Sequence, residues 1–238
     1  MNSLSQLKIK LFADGADLDG MLEMASKPYI SGLTTNPTLM RKAGITNYTT
    51  FAKLVLAEIK DKPISFEVFS DDLEEMIQQG FTISSWANNV YVKIPVTNTK
   101  GESTSSVINI LSKAGVKVNV TALMTPKQVE GVINSLNPHV ESNISVFAGR
   151  IADTGVDPMP IMKESLQIMS SMPASKLIWA SPRELLNLFQ ADSIGCHIIT
   201  ATSDILKKLD LVDYNLLDYS LDTVRMFHED AKKAGYEI

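Results

Sequence analysis

A single cysteine, Cys196, rules out a disulfide within the chain, and its neighbourhood Ile194-Gly195-Cys196-His197-Ile198-Ile199 reads as buried core. The three histidines, His139, His197 and His228, are far apart and share no metal-ligand spacing, so neither a metal site nor any other cofactor is expected. Basic residues are in deficit: 22 Lys+Arg against 27 Asp+Glu leave a formal charge of -5, which argues against nucleic acid as a partner. Every apolar run stops well short of the roughly 18 residues that a membrane span needs, so no membrane partner is expected. Residues Met1 to Lys8 lack the basic, apolar and small-residue order of an export signal, which points to a cytoplasmic protein. Heptads, low-complexity tracts and long Gly/Ser linkers are missing too, so one domain over residues 1–238 is the natural division.

What the chain has in quantity is a short β-rich run followed by a helical one, many times over. Strands are predicted over residues 9–14, 32–36, 64–70, 90–96, 116–122, 143–149, 176–180 and 197–201. Helix-opening residues stand between them: Asp17, Thr46 or Asn47, Asp71 and Asp72, Ser103, Thr125-Pro126, Asp157-Pro158, Ser181-Pro182, and Ser203 or Asp204. Such side chains accept from the unpaired N–H groups of a first turn, and Pro at the first helical position gives up an N–H that has no intrahelical partner. Eight strand-helix units in 238 residues match the count and length of an α/β fold, a single (β/α)8 TIM barrel. An open doubly wound sheet is the runner-up, disfavoured because no Gly-x-Gly-x-x-Gly turn is present. One additional C-terminal helix is predicted at about residues 221–233; it either closes the barrel or docks on a neighbouring subunit, and a homo-oligomer is expected.

In a parallel barrel the strand residues facing the helices are apolar, so a polar residue alternating with Val and Ile points inward, where catalytic groups collect. Lys93 in Val90-Tyr91-Val92-Lys93-Ile94-Pro95 is the clearest instance. Burial disfavours an ammonium, and a neutral amine can attack a carbonyl to form a Schiff base; the plainer alternatives are a lysine that reaches the surface or pairs with a carboxylate. Glu67, between Phe66 and Val68, is either that ion-pair partner or a proton carrier. Asp14, closing Leu11-Phe12-Ala13-Asp14, is a candidate to take a proton from a substrate hydroxyl and equally a candidate helix cap. Asn119 and Thr121 share a face opposite three valines, either as a satisfied polar pair or as a grip on a water or a hydroxyl. Thr34-Thr35-Asn36-Pro37 ends the second strand with residues that also suit a plain turn. Ser145 and Phe147 point inward on the sixth strand, Arg150 follows, and Ser181-Pro182-Arg183 opens the helix after the seventh. Either arginine alone reads as a surface ion pair; together, beside a serine at a helix N-terminus, they read as a phosphate clamp.

Taken in order, the fragments Phe12-Ala13-Asp14-Gly15-Ala16, Thr34-Thr35-Asn36-Pro37-Thr38, Ser65-Phe66-Glu67-Val68, Val92-Lys93-Ile94-Pro95-Val96-Thr97, Asn119-Val120-Thr121, Ser145-Val146-Phe147-Ala148-Gly149-Arg150 and Ala180-Ser181-Pro182-Arg183 resemble the transaldolase family. The likeness runs over essentially the whole chain and is greatest to a compact bacterial subgroup. It implies class I chemistry without a metal. Lys93 corresponds to the Schiff-base lysine that attacks the ketone of a ketose phosphate, Glu67 and Thr121 to the pair that positions a water for proton transfer, and Asp14 to the acid/base that takes the hydroxyl proton as the carbon–carbon bond breaks. Thr34, Asn36, Asn119, Ser145 and Phe147 are implied to surround the dihydroxyacetone fragment, and Arg150, Ser181 and Arg183 to grip the phosphate. Fructose 6-phosphate aldolases look similar but typically carry Gln at the position of Glu67 and Tyr at that of Phe147. The chain departs from the family's usual Ser-Pro-Phe-Val-Gly-Arg at residues 145–150 and lacks the frequent Pro after the last strand.

Three functions compete. The leading one moves a dihydroxyacetone unit from sedoheptulose 7-phosphate or fructose 6-phosphate to an aldose phosphate such as glyceraldehyde 3-phosphate, as in the pentose phosphate pathway, so its partners are sugar phosphates. The second is a lysine-dependent lyase that releases dihydroxyacetone to water. The third, a non-catalytic sugar-phosphate-binding barrel, is disfavoured because a binding module gains nothing from Asp14, Glu67 and Lys93 together.

Overall fold

The computed structural model describes residues 6–238. Eight parallel strands, β1 (Lys10–Asp14), β2 (Ile30–Thr34), β3 (Ile64–Glu67), β4 (Val90–Pro95), β5 (Val118–Leu123), β6 (Ser142–Val146), β7 (Ser175–Trp179) and β8 (Ile198–Thr202), close into a barrel in chain order, with β8 against β1. Around them lie α1 (Leu18–Ser26), α2 (Pro37–Lys42), α3 (Tyr48–Glu58), α4 (Leu73–Ser84), α5 (Ser105–Lys113), α6 (Pro126–Ile133), α7 (Ala148–Asp153), α8 (Pro158–Ile168), α9 (Leu186–Ser193) and α10 (Ser203–Leu206), followed by α11 (Leu216–Ala234). The fold is a (β/α)8 TIM barrel with a C-terminal helix. Among the described residues no helix is long and apolar enough to cross a membrane.

Two apolar layers hold the barrel. Leu33, Phe66, Val92, Ile94, Val118, Val120, Ile144 and Val146 point outward from their strands and are wholly buried beneath the helices. Burial of each such side chain contributes about 1.5–3 kcal/mol. Inside the barrel a smaller cluster of Phe12, Ile178, Ala180 and Ile198 forms a plug, against which Phe147 packs. Gly32 makes room for it, since a Cβ there would lie 2.4 Å from the Phe12 ring. Above the plug the inward positions are polar. Helix entry follows the capping chemistry: Asp17, Asn36, Asn47, Asp72 and Asp157 each accept from a first-turn N–H, and Thr125 forms a reciprocal capping box with Gln128.

The structure corrects five expectations. Neither Ser203 nor Asp204 caps the helix after β8: α10 starts at Ser203, and Thr202 holds the cap position. Ser181-Pro182 opens no helix: Ser181 adopts a left-handed φ of 60°, and α9 starts only at Leu186 with Leu185 as its cap. Ser103 is not the cap of α5, because Thr104 occupies that place and spends its hydroxyl on the Pro95 carbonyl. Two short helices were not expected: β2 ends at Thr34 and Asn36 caps α2, while α7 begins at Ala148 inside the expected sixth strand, so Arg150 is helical. Finally, α11 starts at Leu216, because Asn215 accepts from the N–H groups of Leu217 and Asp218, and it has no part in closing the barrel.

Candidate active site

At the carboxyl ends of the strands lies a cavity of about 760 Å³ whose lining includes Asp14, Thr34, Asn36, Glu67, Lys93, Thr121, Ser145, Phe147, Arg150, Ser181 and Arg183. The structure thus gathers eleven of the twelve candidate residues around one space. The twelfth, Asn119, is fully buried directly beneath: its Nδ2 donates to Ser65 Oγ at 2.9 Å and its Oδ1 accepts from Ser145 Oγ at 2.8 Å. This layer fixes the Ser145 hydroxyl from below.

The cavity floor carries the charge. Lys93 is 6% exposed, and its Nζ donates to the Thr35 carbonyl at 2.9 Å and stands 3.4 Å from Glu67 Oε2. Register explains the pairing, since Glu67 lies opposite Lys93 on adjacent strands, as Lys93 does Asn119. On β1, Asp14 accepts from Thr34 Oγ1 at 2.8 Å and from Asn36 Nδ2 at 3.0 Å. Having given its only hydrogen to Asp14, Thr34 accepts in turn from Thr200 at 2.6 Å. Burial pushes the Asp14 carboxyl above its ordinary value although Lys93 and these two donors pull it down. Glu67 is raised by burial too, against the opposing pull of Lys93. Lys93 therefore faces two carboxyls that burial makes less acidic than usual.

Thr121 sits across the floor with its hydroxyl buried and without a hydrogen-bond partner among the described residues. A buried hydroxyl left unpaired is unfavourable by about 1–3 kcal/mol, which marks the place as one that receives a polar group from outside the chain. Beside it Ala122 takes a left-handed φ of 66°, where the register between β5 and β6 shifts. With Ser181 it makes two strained non-glycine residues on the cavity lining, each unfavourable by roughly 1–3 kcal/mol, and such strain concentrates at functional sites.

The rim is built from the loops after β6 and β7. Gly149 permits their contact, because a Cβ there would fall 1.6 Å from the Ser181 carbonyl oxygen. Arg150 stands over the Phe147 ring, 5.7 Å from its centroid. Arg183 donates through Nε to Asp153 at 2.8 Å and through Nη1 to Ser181 Oγ at 2.9 Å, with a second bond from Nη2 to Asp153. These bonds hold the Asp153 carboxyl below the usual carboxylate range.

Three contributors escaped the sequence reading. Ser65 and Thr200 lie on inward faces of their strands, at positions that the same alternation used for Glu67 would have found. Asp153 stands one helical turn after Arg150, but its pairing with Arg183 joins the end of α7 to the loop after β7, 30 residues away, and has no local signal.

Comparison with known proteins gives the family. The profile of the family described as Transaldolase/Fructose-6-phosphate aldolase matches residues 11–238. A protein of Thermoanaerobacter sp. (strain X514) named a probable transaldolase is 34% identical over 233 residues, covering 97% of this chain and 100% of the relative. Another of that name from Methanococcus maripaludis (strain C7 / ATCC BAA-1331) is 32% identical over 202 residues, covering 84% and 89% of the two chains. Among solved structures, a putative dihydrodipicolinate synthase family protein from Coccidioides immitis superposes with a TM-score of 0.61 at 12% identity over 98% of this chain and 80% of that one, a likeness of fold alone.

Proposed function

The chain belongs to the transaldolase/fructose-6-phosphate aldolase family, and on that premise we propose that it is a transaldolase, transferring a dihydroxyacetone unit between sugar phosphates through a Schiff base on Lys93. The observation that carries this reading is the buried amine of Lys93 set between the Thr35 carbonyl and the Glu67 carboxylate at the bottom of an open cavity. The amine adds to the ketone of a ketose phosphate, and loss of water gives a protonated Schiff base, with Glu67 and Thr121 relaying protons through a water that the unpaired Thr121 hydroxyl would hold. Asp14 takes the hydroxyl proton as the carbon–carbon bond breaks and an aldose phosphate departs. A carboxyl made less acidic by burial suits that shuttle, since it returns the proton when the enamine adds to the next aldehyde. Hydrolysis then frees the new ketose. The nucleophile is the chain's own amine, so this is class I, metal-independent chemistry.

Around the three-carbon fragment, Thr34, Asn36 and Ser145 line the cavity, with Asn119 bracing Ser145, while Arg150, Ser181 and Arg183 face the terminal phosphate. Phe147 offers no hydroxyl to protonate the enamine, which supports transfer over release. The substrates proposed are sedoheptulose 7-phosphate and glyceraldehyde 3-phosphate, giving erythrose 4-phosphate and fructose 6-phosphate in the cytoplasmic pentose phosphate pathway. Borohydride added with fructose 6-phosphate is expected to fix a three-carbon adduct on Lys93, and dihydroxyacetone is expected to leave far more slowly without an aldehyde acceptor than it is transferred with one. An adduct on another lysine would sink the Schiff-base assignment, and equal rates would promote the lyase reading.

We also propose a homo-oligomer. The 19-residue α11 has no buried residue and exposes Leu216, Leu217, Leu221, Val224 and Phe227. Helices draw most of their stability from packing an apolar face, and an uncovered apolar face of this kind marks an interface. Sedimentation as a single 26.1 kDa chain would refute it.

A further inference from the structure

Tyr48 of α3 holds Glu67 in a way that the barrel itself does not provide. Its Oη donates to the Glu67 carbonyl at 3.0 Å and accepts from the Glu67 N–H at 2.7 Å. Both backbone groups point toward β2, where two further rungs of the parallel ladder belong. That pairing ends early: the register runs only through Leu33 with Ile64 and Thr34 with Ser65, and the last rung is the Thr35 N–H on the Ser65 carbonyl at 3.3 Å. The next acceptor would be the Thr35 carbonyl, but Lys93 Nζ occupies it at 2.9 Å. The donor after that would be residue 37, which is Pro37 and has no N–H. One phenol oxygen replaces both missing rungs.

From this substitution we propose that Tyr48 is a positioning residue for the reaction: it fixes the end of β3 so that the Glu67 carboxylate faces Lys93, and it leaves the Thr35 carbonyl free to hold the amine. The inference rests on the Schiff-base reading of Lys93 for its kinetic consequence and on geometry alone for its structural one. The ring is wedged among Phe69, Trp86 and Phe66 at centroid distances of 4.4, 5.8 and 6.1 Å, so the hydroxyl has little freedom to leave. Burial, reinforced by the nearby Glu67 carboxylate, keeps the phenol well above its usual range and hence a donor at every working pH. Without the hydroxyl, the Glu67 N–H and Lys93 Nζ would compete for the single Thr35 carbonyl.

Tyr48→Phe keeps the ring and removes only the two bonds. Its expected effect is a fall in kcat of about 10- to 100-fold, the scale of an ångström-sized misplacement, with KM for sugar phosphates changed less than about twofold. An independent readout is the titration of the Glu67 carboxyl, followed by carbon NMR in protein labelled with 13C-glutamate and assigned with Glu67→Gln. The charged and titratable groups facing it are Lys93 from β4, Asp14 from β1 and Tyr48 from α3. Because burial is the main cause of its raised value, release of the strand end is expected to bring the titration down toward the ordinary carboxylate range. An unchanged titration, an unchanged kcat, or a loss confined to KM would overturn the proposal. If the wild-type protein proves inert toward ketose phosphates, the proposed function fails, and the titration by itself decides whether Tyr48 sets Glu67.

Discussion

Asp14 on the cavity floor and Asp153, paired with Arg183 of the cavity rim, are the same residue type, and their carboxyls move in opposite directions. Asp14, on the floor, is driven up by burial; Asp153, at the rim, is drawn down by the hydrogen bonds of Arg183. The ion pairs differ likewise: Lys93 and Glu67 have side chains 7% and 16% exposed, whereas those of Arg183 and Asp153 are 45% and 53% exposed. Where water is excluded, desolvation outweighs the attraction of one cation, and the groups are poised to exchange protons. Where water reaches, the pair is screened, adds little stability and serves to aim the guanidinium. On the proposed function, the floor serves the chemistry and the rim recognition.

The comparison is tested hardest at Asp14. Asp14→Asn is expected to lower kcat by about 10²- to 10⁴-fold, the range for loss of a positioned acid/base. Its effect on stability should have the opposite sign. The folded-state value of Asp14 lies above the unfolded one, so its contribution to stability is full below about pH 4 and is lost as pH rises through the folded value. The variant should therefore melt above wild type at pH 7, with the advantage shrinking toward pH 4. A variant that melts lower at pH 7 would mean that burial does not dominate the floor. At the rim the effect is smaller: Arg150→Ala or Arg183→Ala should lose about 1.5–3 kcal/mol of charge-assisted bonding, roughly 10- to 150-fold in KM for phosphorylated substrates. Non-phosphorylated sugars should be spared, and added salt should raise the same KM while leaving the pH dependence of kcat in place. Equal loss for both classes of sugar would remove the phosphate clamp from the rim.

Much of this was legible along the chain. Alternation is a local property, so Val92-Lys93-Ile94 and Phe66-Glu67-Val68 declared which side chains enter the barrel before any strand was paired. Capping residues declared where helices begin at Asp17, Asn47, Asp72, Thr125 and Asp157. The same signal misled at Ser181-Pro182, where Ser181 takes a left-handed φ with its carbonyl packed close against the Gly149 backbone, a contact between two segments that no local signal carries.

The eightfold strand-helix rhythm and the identity of the inward residues belong to the sequence, because they depend on neighbours two to four positions apart. Closure and register belong to the tertiary structure. They bring Glu67 opposite Lys93, lay Asn119 under Ser145, and set Asp153 against Arg183. They also stop the β2–β3 pairing two rungs early, which leaves the Thr35 carbonyl to Lys93 and the Glu67 backbone to Tyr48. No local pattern encodes these contacts, because each joins segments whose separation in space is fixed only when the strands have closed on one another.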